Sequence, residues 1–331
     1  MSNSVFAALV GSTFMLSALS ATAAPRVAVD IPPVHSLVAQ VMEGVGAPEL
    51  LISGGSSPHG YALRPSEARV LQSADLVVWV GQNLTPWLGL ALPKLAGNAT
   101  VIELAEVPET HLLDFRDSVV FDASSDQHDE GHDDHEDHAE HDDHDHDEHH
   151  EDEDEHDHDH SGYDPHMWLD PDNASAWLGV IAAELSILDP ENAALYVANA
   201  KAGQANLEQL SAEIDTLLDP VHGGRYVVFH DGYQYFGQKF DMPAAGAIRL
   251  SDASDPSPAR IAEIRAAVQE GDITCVFSEP QFNPALINPV FEGTEARVVV
   301  ADPLGALLDP GPSLYGVVLR DLASGLAKCL Q

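Results

Sequence analysis

Residues Asp126 to His160 hold 12 His and 20 Asp or Glu in 35 positions, with no Lys and no Arg. Imidazole nitrogens and carboxylate oxygens are ligands for borderline divalent cations such as Zn2+. Spacings such as His144-Asp145-His146 and His156-Asp157-His158-Asp159-His160 let one chain wrap an ion in several ways. His128, His132, His135, His138, His141, His149 and His150 repeat the same chemistry along the run. A segment this charged lacks the apolar area that would offset its ordering entropy, so the sequence predicts a disordered tether that collects metal. A linker made only for solubility has no need of 12 His.

Other imidazoles sit in ordinary surroundings. His59 lies in Ser57-Pro58-His59-Gly60-Tyr61, His166 in Asp164-Pro165-His166-Met167-Trp168, and His230 closes the apolar run Tyr226-Val227-Val228-Phe229-His230. Asp302 follows Val298-Val299-Val300-Ala301 in the same way. Three imidazoles and an optional carboxylate form a ligand set suited to tetrahedral Zn2+. Each position alone fits a satisfied polar residue as well as a ligand, and it is their joint occurrence beside a His-rich run that points to metal. His35 reads as a helix-start residue, and His111 and His222 as surface loop positions. Three His with an open position is also a catalytic zinc geometry, and Glu279 in Phe277-Ser278-Glu279-Pro280-Gln281 stands where a general base could sit. No H-E-x-x-H occurs, however.

These residues need elements to position them. Arg26–Ile31, Glu49–Ser53, Asp75–Gly81 and Thr100–Leu104 read as buried strands, and Ser36–Val45, Pro65–Ser73 and Thr85–Leu95 as the helices between them. A second set follows the acidic run, with strands near Arg225–Phe229, Ala245–Ile248, Ile273–Phe277 and Ala296–Val300 and helices near Pro258–Val268, Pro284–Phe291 and Ser313–Leu330. The fold expected is α/β, two small domains with mostly parallel sheets. Between them, apolar residues at helical spacing from Leu195 to Leu217 predict one helix over 190–218, about 28 residues and some 40 Å long. Such a helix acts as a strut and favours small rocking over large hinge closure, unless it packs wholly inside one domain. The expected division is a leader over 1–24, a first α/β domain over 25–189 containing the run 126–160, the linking helix 190–218, and a second α/β domain over 219–331. In parallel sheets ligands bind at the carboxyl ends of the strands, where His59, His230 and Asp302 fall.

Composition narrows the function. The net charge is −40, half of it from the acidic run, and the acidity of the remainder argues against nucleic acid while suiting cations. Residues 1–24 have an apolar region ending in Ala21-Thr22-Ala23-Ala24, which reads as a secretory signal peptide; because no Lys or Arg precedes Arg26, an uncleaved anchor is the other reading. No Cys near that point could carry a lipid. Cys275 and Cys329 are the two cysteines, and in an exported protein they most simply make one disulfide. Two buried thiols are the other reading, and a thiolate zinc site is a weaker one.

Five stretches together resemble the metal-specific solute-binding proteins of ABC importers, in particular their periplasmic zinc-binding branch. They are Pro58-His59-Gly60-Tyr61-Ala62-Leu63-Arg64-Pro65-Ser66, Ala74 to Gly81, Asp164 to Pro171, Phe229-His230-Asp231-Gly232-Tyr233-Gln234-Tyr235-Phe236 and Asp302-Pro303-Leu304-Gly305. The resemblance spans the chain after the leader. It implies two four-stranded α/β domains, a rigid connecting helix, and Zn2+ held in the cleft by His59 and His166 from the first domain and His230 from the second, with the fourth position open to Asp302, water, a neighbouring carboxylate or a His of the run. It further implies a monomeric binding protein, not an enzyme, that delivers zinc to an inner-membrane ABC permease. A zinc buffer or adhesin without a transporter partner is the alternative. A carboxylate at the position of His230 would suit manganese, whereas imidazole suits zinc.

Overall fold

The computed structural model describes residues 23–53, 55–116, 121, 162–249, 258–270, 273–281, 291, 294 and 296–331. The His-rich run, most of the leader and most of the helix expected over Pro284–Phe291 lie outside them.

Short apolar runs form two four-stranded sheets, every pairing parallel. In the first, β1 (Val27–Val29), β2 (Glu49–Leu50), β3 (Leu76–Trp79) and β4 (Thr100–Glu103) lie in the order β2-β1-β3-β4. In the second, β5 (Tyr226–His230), β6 (Gly246–Arg249), β7 (Cys275–Ser278) and β8 (Arg297–Val300) repeat that order as β6-β5-β7-β8. The central strands β3 and β5 are buried along their whole length, as strands with helices on both faces must be. All eight strands fall where the apolar runs place them; six are shorter than expected, while β5 and β6 keep the expected length shifted by one residue. Just past β1 the Asp30 carboxylate accepts from the Ile31 and Val80 amides, both at 2.8 Å, so the Ile31 amide turns from the ladder to a side chain.

Helix α1 (Pro32–Val41) begins four residues before the expected start, with Pro in its first positions, where φ is preset and no amide donor is needed. Helices α2 (Pro65–Ser73) and α3 (Pro86–Leu95) match expectation. Helix α4 (Pro171–Leu188) was not anticipated; the Asp170 side chain caps it by accepting from the Asp172 amide at 2.8 Å. The linking helix α5 (Ala193–Leu218) has 26 residues, about 39 Å at about 1.5 Å each. After it come α6 (Gln234–Lys239), α7 (Pro258–Glu270) and α8 (Leu314–Leu330).

Helix α5 packs on α1 and α4 beside the first sheet and on α8 beside the second, so the strut is shared by both halves. One apolar core runs without a break from Val27–Val29 through Leu207, Leu210 and Ile214 of α5 to Leu319, Leu322 and Leu326 of α8. Alternation on β5 splits the second half: Tyr226 and Val228 enter this core, while Val227 and Phe229 face a smaller cluster with Ile264 and Val268 of α7. Cys275 and Cys329 form a disulfide that ties β7 to α8, their Cα atoms 5.4 Å apart. The free-thiol and thiolate-zinc readings are thereby set aside.

Buried hydrogen bonds also cross between the halves. Trp168 Nε1 donates to the Pro303 carbonyl at 2.9 Å, the Tyr315 hydroxyl to the Trp168 carbonyl at 2.8 Å, and the Tyr235 hydroxyl to the Asp164 carbonyl at 2.9 Å. Ser36 Oγ donates to the Pro312 carbonyl at 2.9 Å and accepts from the Tyr315 amide at 3.0 Å. Each contributes on the order of 1 kcal/mol, so opening the halves like a hinge would cost several.

Candidate metal centre

The turn after β2 holds His59. Trp87 of α3 donates its indole N–H to the Pro58 carbonyl at 2.8 Å, and the Tyr61 hydroxyl donates to Glu67 of α2 at 2.6 Å, so the turn is pinned on both sides of His59. His59 itself is half-buried. His166 enters the 3-10 turn Met167–Leu169, and the Asp164 carboxylate accepts from both its backbone N–H at 2.9 Å and its Nδ1 at 2.7 Å. His230 is the last residue of β5, and its Nδ1 meets Glu279, just past the end of β7, at 2.5 Å. Both rings are buried.

A carboxylate oxygen can only accept, so each Nδ1 carries the hydrogen and each Nε2 keeps its lone pair. The two Nε2 atoms face each other at 3.1 Å. Two lone pairs at that distance repel unless a cation or proton lies between them. With Zn–N bonds of about 2.0–2.1 Å, two ligands of a tetrahedral ion stand roughly 3.3 Å apart, close to the separation here. Carboxylates on the far ring nitrogens are the partners that orient and strengthen metal-binding imidazoles.

His59, His166 and His230 line one pocket together with Pro58, Trp168, Gln281, Pro303 and Leu304. About 10 Å³ of free space is left, room for one ion or one water. The His59 and His166 rings lie 5.5 Å apart and the His166 and His230 rings 5.0 Å apart. Among the described residues no three His, Cys, Asp or Glu are drawn tightly enough to chelate one ion as they stand. The His59 ring must therefore close on the other two for all three to act together.

Asp302 sits just behind this wall. Its Oδ1 accepts from the Leu304 amide and its Oδ2 from the Leu307 amide, both at 3.2 Å, fixing the turn that presents Pro303 and Leu304. Gly305 completes that turn at φ +64°, a conformation that favours glycine. The surroundings are negative: the Tyr233 phenol is held well above its ordinary pKa by burial and then by the charges of Glu279 and Asp302. Asp231, paired with Arg116 at 3.0 Å, is pushed up to about 6 by burial, which outweighs the guanidinium.

His111 is exposed in a loop and His222 lies in the turn after α5, as expected. His35 falls inside α1, its Nε2 at 3.1 Å from the Pro48 carbonyl. Sequence reasoning missed Asp164, Gly232 and Gln281, and read Glu279 only as a possible base. Both Glu279 oxygens are engaged, Oε1 by His230 and Oε2 by the Gln281 amide at 2.8 Å.

Known proteins share this arrangement of sequence and fold. The sequence profile of the family described as "Zinc-uptake complex component A periplasmic" matches residues 27–329. The chain is similar to the high-affinity zinc uptake system protein ZnuA of Paracoccus denitrificans, 46% identical over 327 residues, which cover 96% of this chain and 98% of that one. The Yersinia pestis protein of the same name is 34% identical, covering 98% and 97%. The crystal structure of a ZnuA deletion mutant with zinc bound superposes at a TM-score of 0.71, with 23% identity, covering 93% of this chain and 98% of that one.

Proposed function

The chain belongs to the ZnuA family of zinc-uptake components, and from that premise we propose that it captures Zn2+ in the periplasm and delivers it to an inner-membrane ABC permease. The observation that carries this reading is the pair of Nε2 lone pairs converging at 3.1 Å, each ring fixed from behind by a carboxylate. His59 supplies the third imidazole. Three neutral imidazoles leave the ion its full charge, which the surrounding carboxylates stabilise from outside the ligand shell. The relevant ligands are nitrogens, which suit zinc better than manganese.

The same contacts support a binding role without catalysis. Glu279 is the acid that the sequence offers as a base, and both its oxygens are occupied in positioning His230 and Gln281. The run Asp126–His160 acts as an accessory collector that gathers zinc weakly and passes it inward, its last residue six positions before His166. The leader is removed on export, the two halves are the domains 25–189 and 219–331, and the protein works as a monomer with no nucleic-acid partner.

The test is a competitive zinc and manganese titration of the chain lacking Asp126–His160, read as metal retained after a chelator challenge. One retained Zn2+ per chain, lost in His59→Ala and His230→Ala, is the expected result. No retained metal would make the run itself the binder and favour a zinc buffer. Zinc-dependent binding to the permease separates the importer from a buffer or adhesin.

A further inference from the structure

Gln281 lies three residues past β7 and lines the pocket with the three imidazoles. Its amide nitrogen donates to Glu279 Oε2 at 2.8 Å. Because a carboxylate cannot donate, this contact fixes which end of the amide is nitrogen and which is oxygen. The oxygen, Oε1, is buried and has no hydrogen-bond partner among the described residues. A buried acceptor left unpaired is costly, so such an atom marks the place of a donor. Among the described residues that line the pocket, Gln281 alone is in this position.

Three imidazoles leave one place open on a tetrahedral ion. Both oxygens of Asp302 already accept from the Leu304 and Leu307 amides, which turn the carboxylate toward its own loop, and Asp302 is not among the residues that line the pocket. Water needs no rearrangement of that loop, and water on a dication is a stronger hydrogen-bond donor than free water. We infer that Gln281 completes the site: its Oε1 accepts a hydrogen bond from the water that fills the fourth position of a cation held by His59, His166 and His230. The inference rests on the zinc-site reading above. It gives His230, Glu279 and Gln281 a common purpose, since one carboxylate orients a ligand with one oxygen and the water acceptor with the other. It also leaves the ion one exchangeable ligand, through which an incoming group can draw it out without opening the halves.

Cobalt tests this in the full chain. One equivalent of Co2+ is added, and the visible spectrum of His230→Ala, which lacks the cleft site, is subtracted to remove the contribution of the His-rich run. Azide should displace the water and shift the cleft bands. Gln281→Met, close in size but without the acceptor, should change both the bands and the azide affinity and weaken zinc binding by roughly 10- to 100-fold. Asp302→Asn, which keeps only one of the two acceptors that hold the turn behind the pocket and is therefore read on the spectrum and not on affinity, should leave the cleft bands and their azide shift in place. If Gln281→Met lowers the melting temperature of the zinc-free protein, Gln281→Asn, whose shorter side chain withdraws the oxygen, provides the same comparison. Bands that ignore azide, or that survive loss of the Gln281 oxygen but change in Asp302→Asn, overturn the inference and assign the fourth position to Asp302. No difference between the parent and His230→Ala would instead remove the cleft site itself, and the zinc reading with it.

Discussion

Gly232 stands where the pocket between His166 and His230 has no room for an added atom. A Cβ built there falls 2.4 Å from His230 Nε2, 2.8 Å from its Cε1 and 3.1 Å from His166 Cδ2. Ordinary carbon contacts begin near 3.5 Å, so Gly232→Ala must drive the His230 ring away by about 1 Å or move the backbone beneath it. Swinging the ring breaks its buried hydrogen bond to Glu279, and bonds to charged groups are worth about 1.5–3 kcal/mol. Moving the backbone instead overpacks a dense site, at about 1–3 kcal/mol. The penalty bears hardest on the zinc-bound state, which holds Nε2 to a bond of about 2.0–2.1 Å. With tenfold in affinity for every 1.4 kcal/mol, zinc should bind roughly 10- to 100-fold more weakly. The assay is competition against a fluorescent chelator in protein lacking Asp126–His160, with a melt of the zinc-free form alongside. Affinity within threefold of the parent would refute the reasoning, whether or not the melt moved.

Two further outcomes follow from residues away from the pocket. Removing the disulfide by the paired substitution Cys275→Ala and Cys329→Ala should cost up to roughly 4 kcal/mol in urea unfolding, since the bond closes a loop of 54 residues; a loss below about 1 kcal/mol would show that α8 holds β7 without it. Asp30 is fully buried, and burial pushes its pKa up to about 7 despite the Val80 and Ile31 amides. The folded chain thus holds a proton that the unfolded chain has released, so this group's contribution is complete below about pH 4 and is lost as pH rises through about 7. Zinc-free Asp30→Asn should accordingly have a flatter stability curve from about pH 4 to 7, by up to about 1.4 kcal/mol per pH unit, and parallel curves would refute it.

Local signals carried much of the fold. The strands were legible because a parallel strand buried on both faces must be an apolar run of a few residues, as Leu76–Trp79 and Tyr226–His230 are. Helix α5 was legible because its apolar positions recur at helical spacing between two prolines. Helix α4 carried a similar signal in Trp177, Leu178, Ile181 and Leu185, but Asp170-Pro171, which marks its start, was read only as the end of the His166 motif. The start of α1 was misplaced because Pro32-Pro33 reads as a breaker until it is seen to occupy the first turn.

For the site, the sequence by itself determined the kinds of ligand. Imidazoles at strand ends and an acidic His-rich run are properties of residue type and local position, and they sufficed to point to zinc, as two cysteines in an exported chain pointed to a disulfide. Tertiary structure decided which groups meet. His166 and His230 are 64 positions apart, and His230 and Glu279 are 49 apart, so no periodicity within one element relates them. What joins them is the packing of two sheets on one continuous core, which brings the ends of β5 and β7 against the loop that carries His166. That packing gave Glu279 to His230, closed the space over Gly232, turned Asp302 onto its own backbone, and left the Gln281 oxygen in the pocket wall without a partner among the described residues.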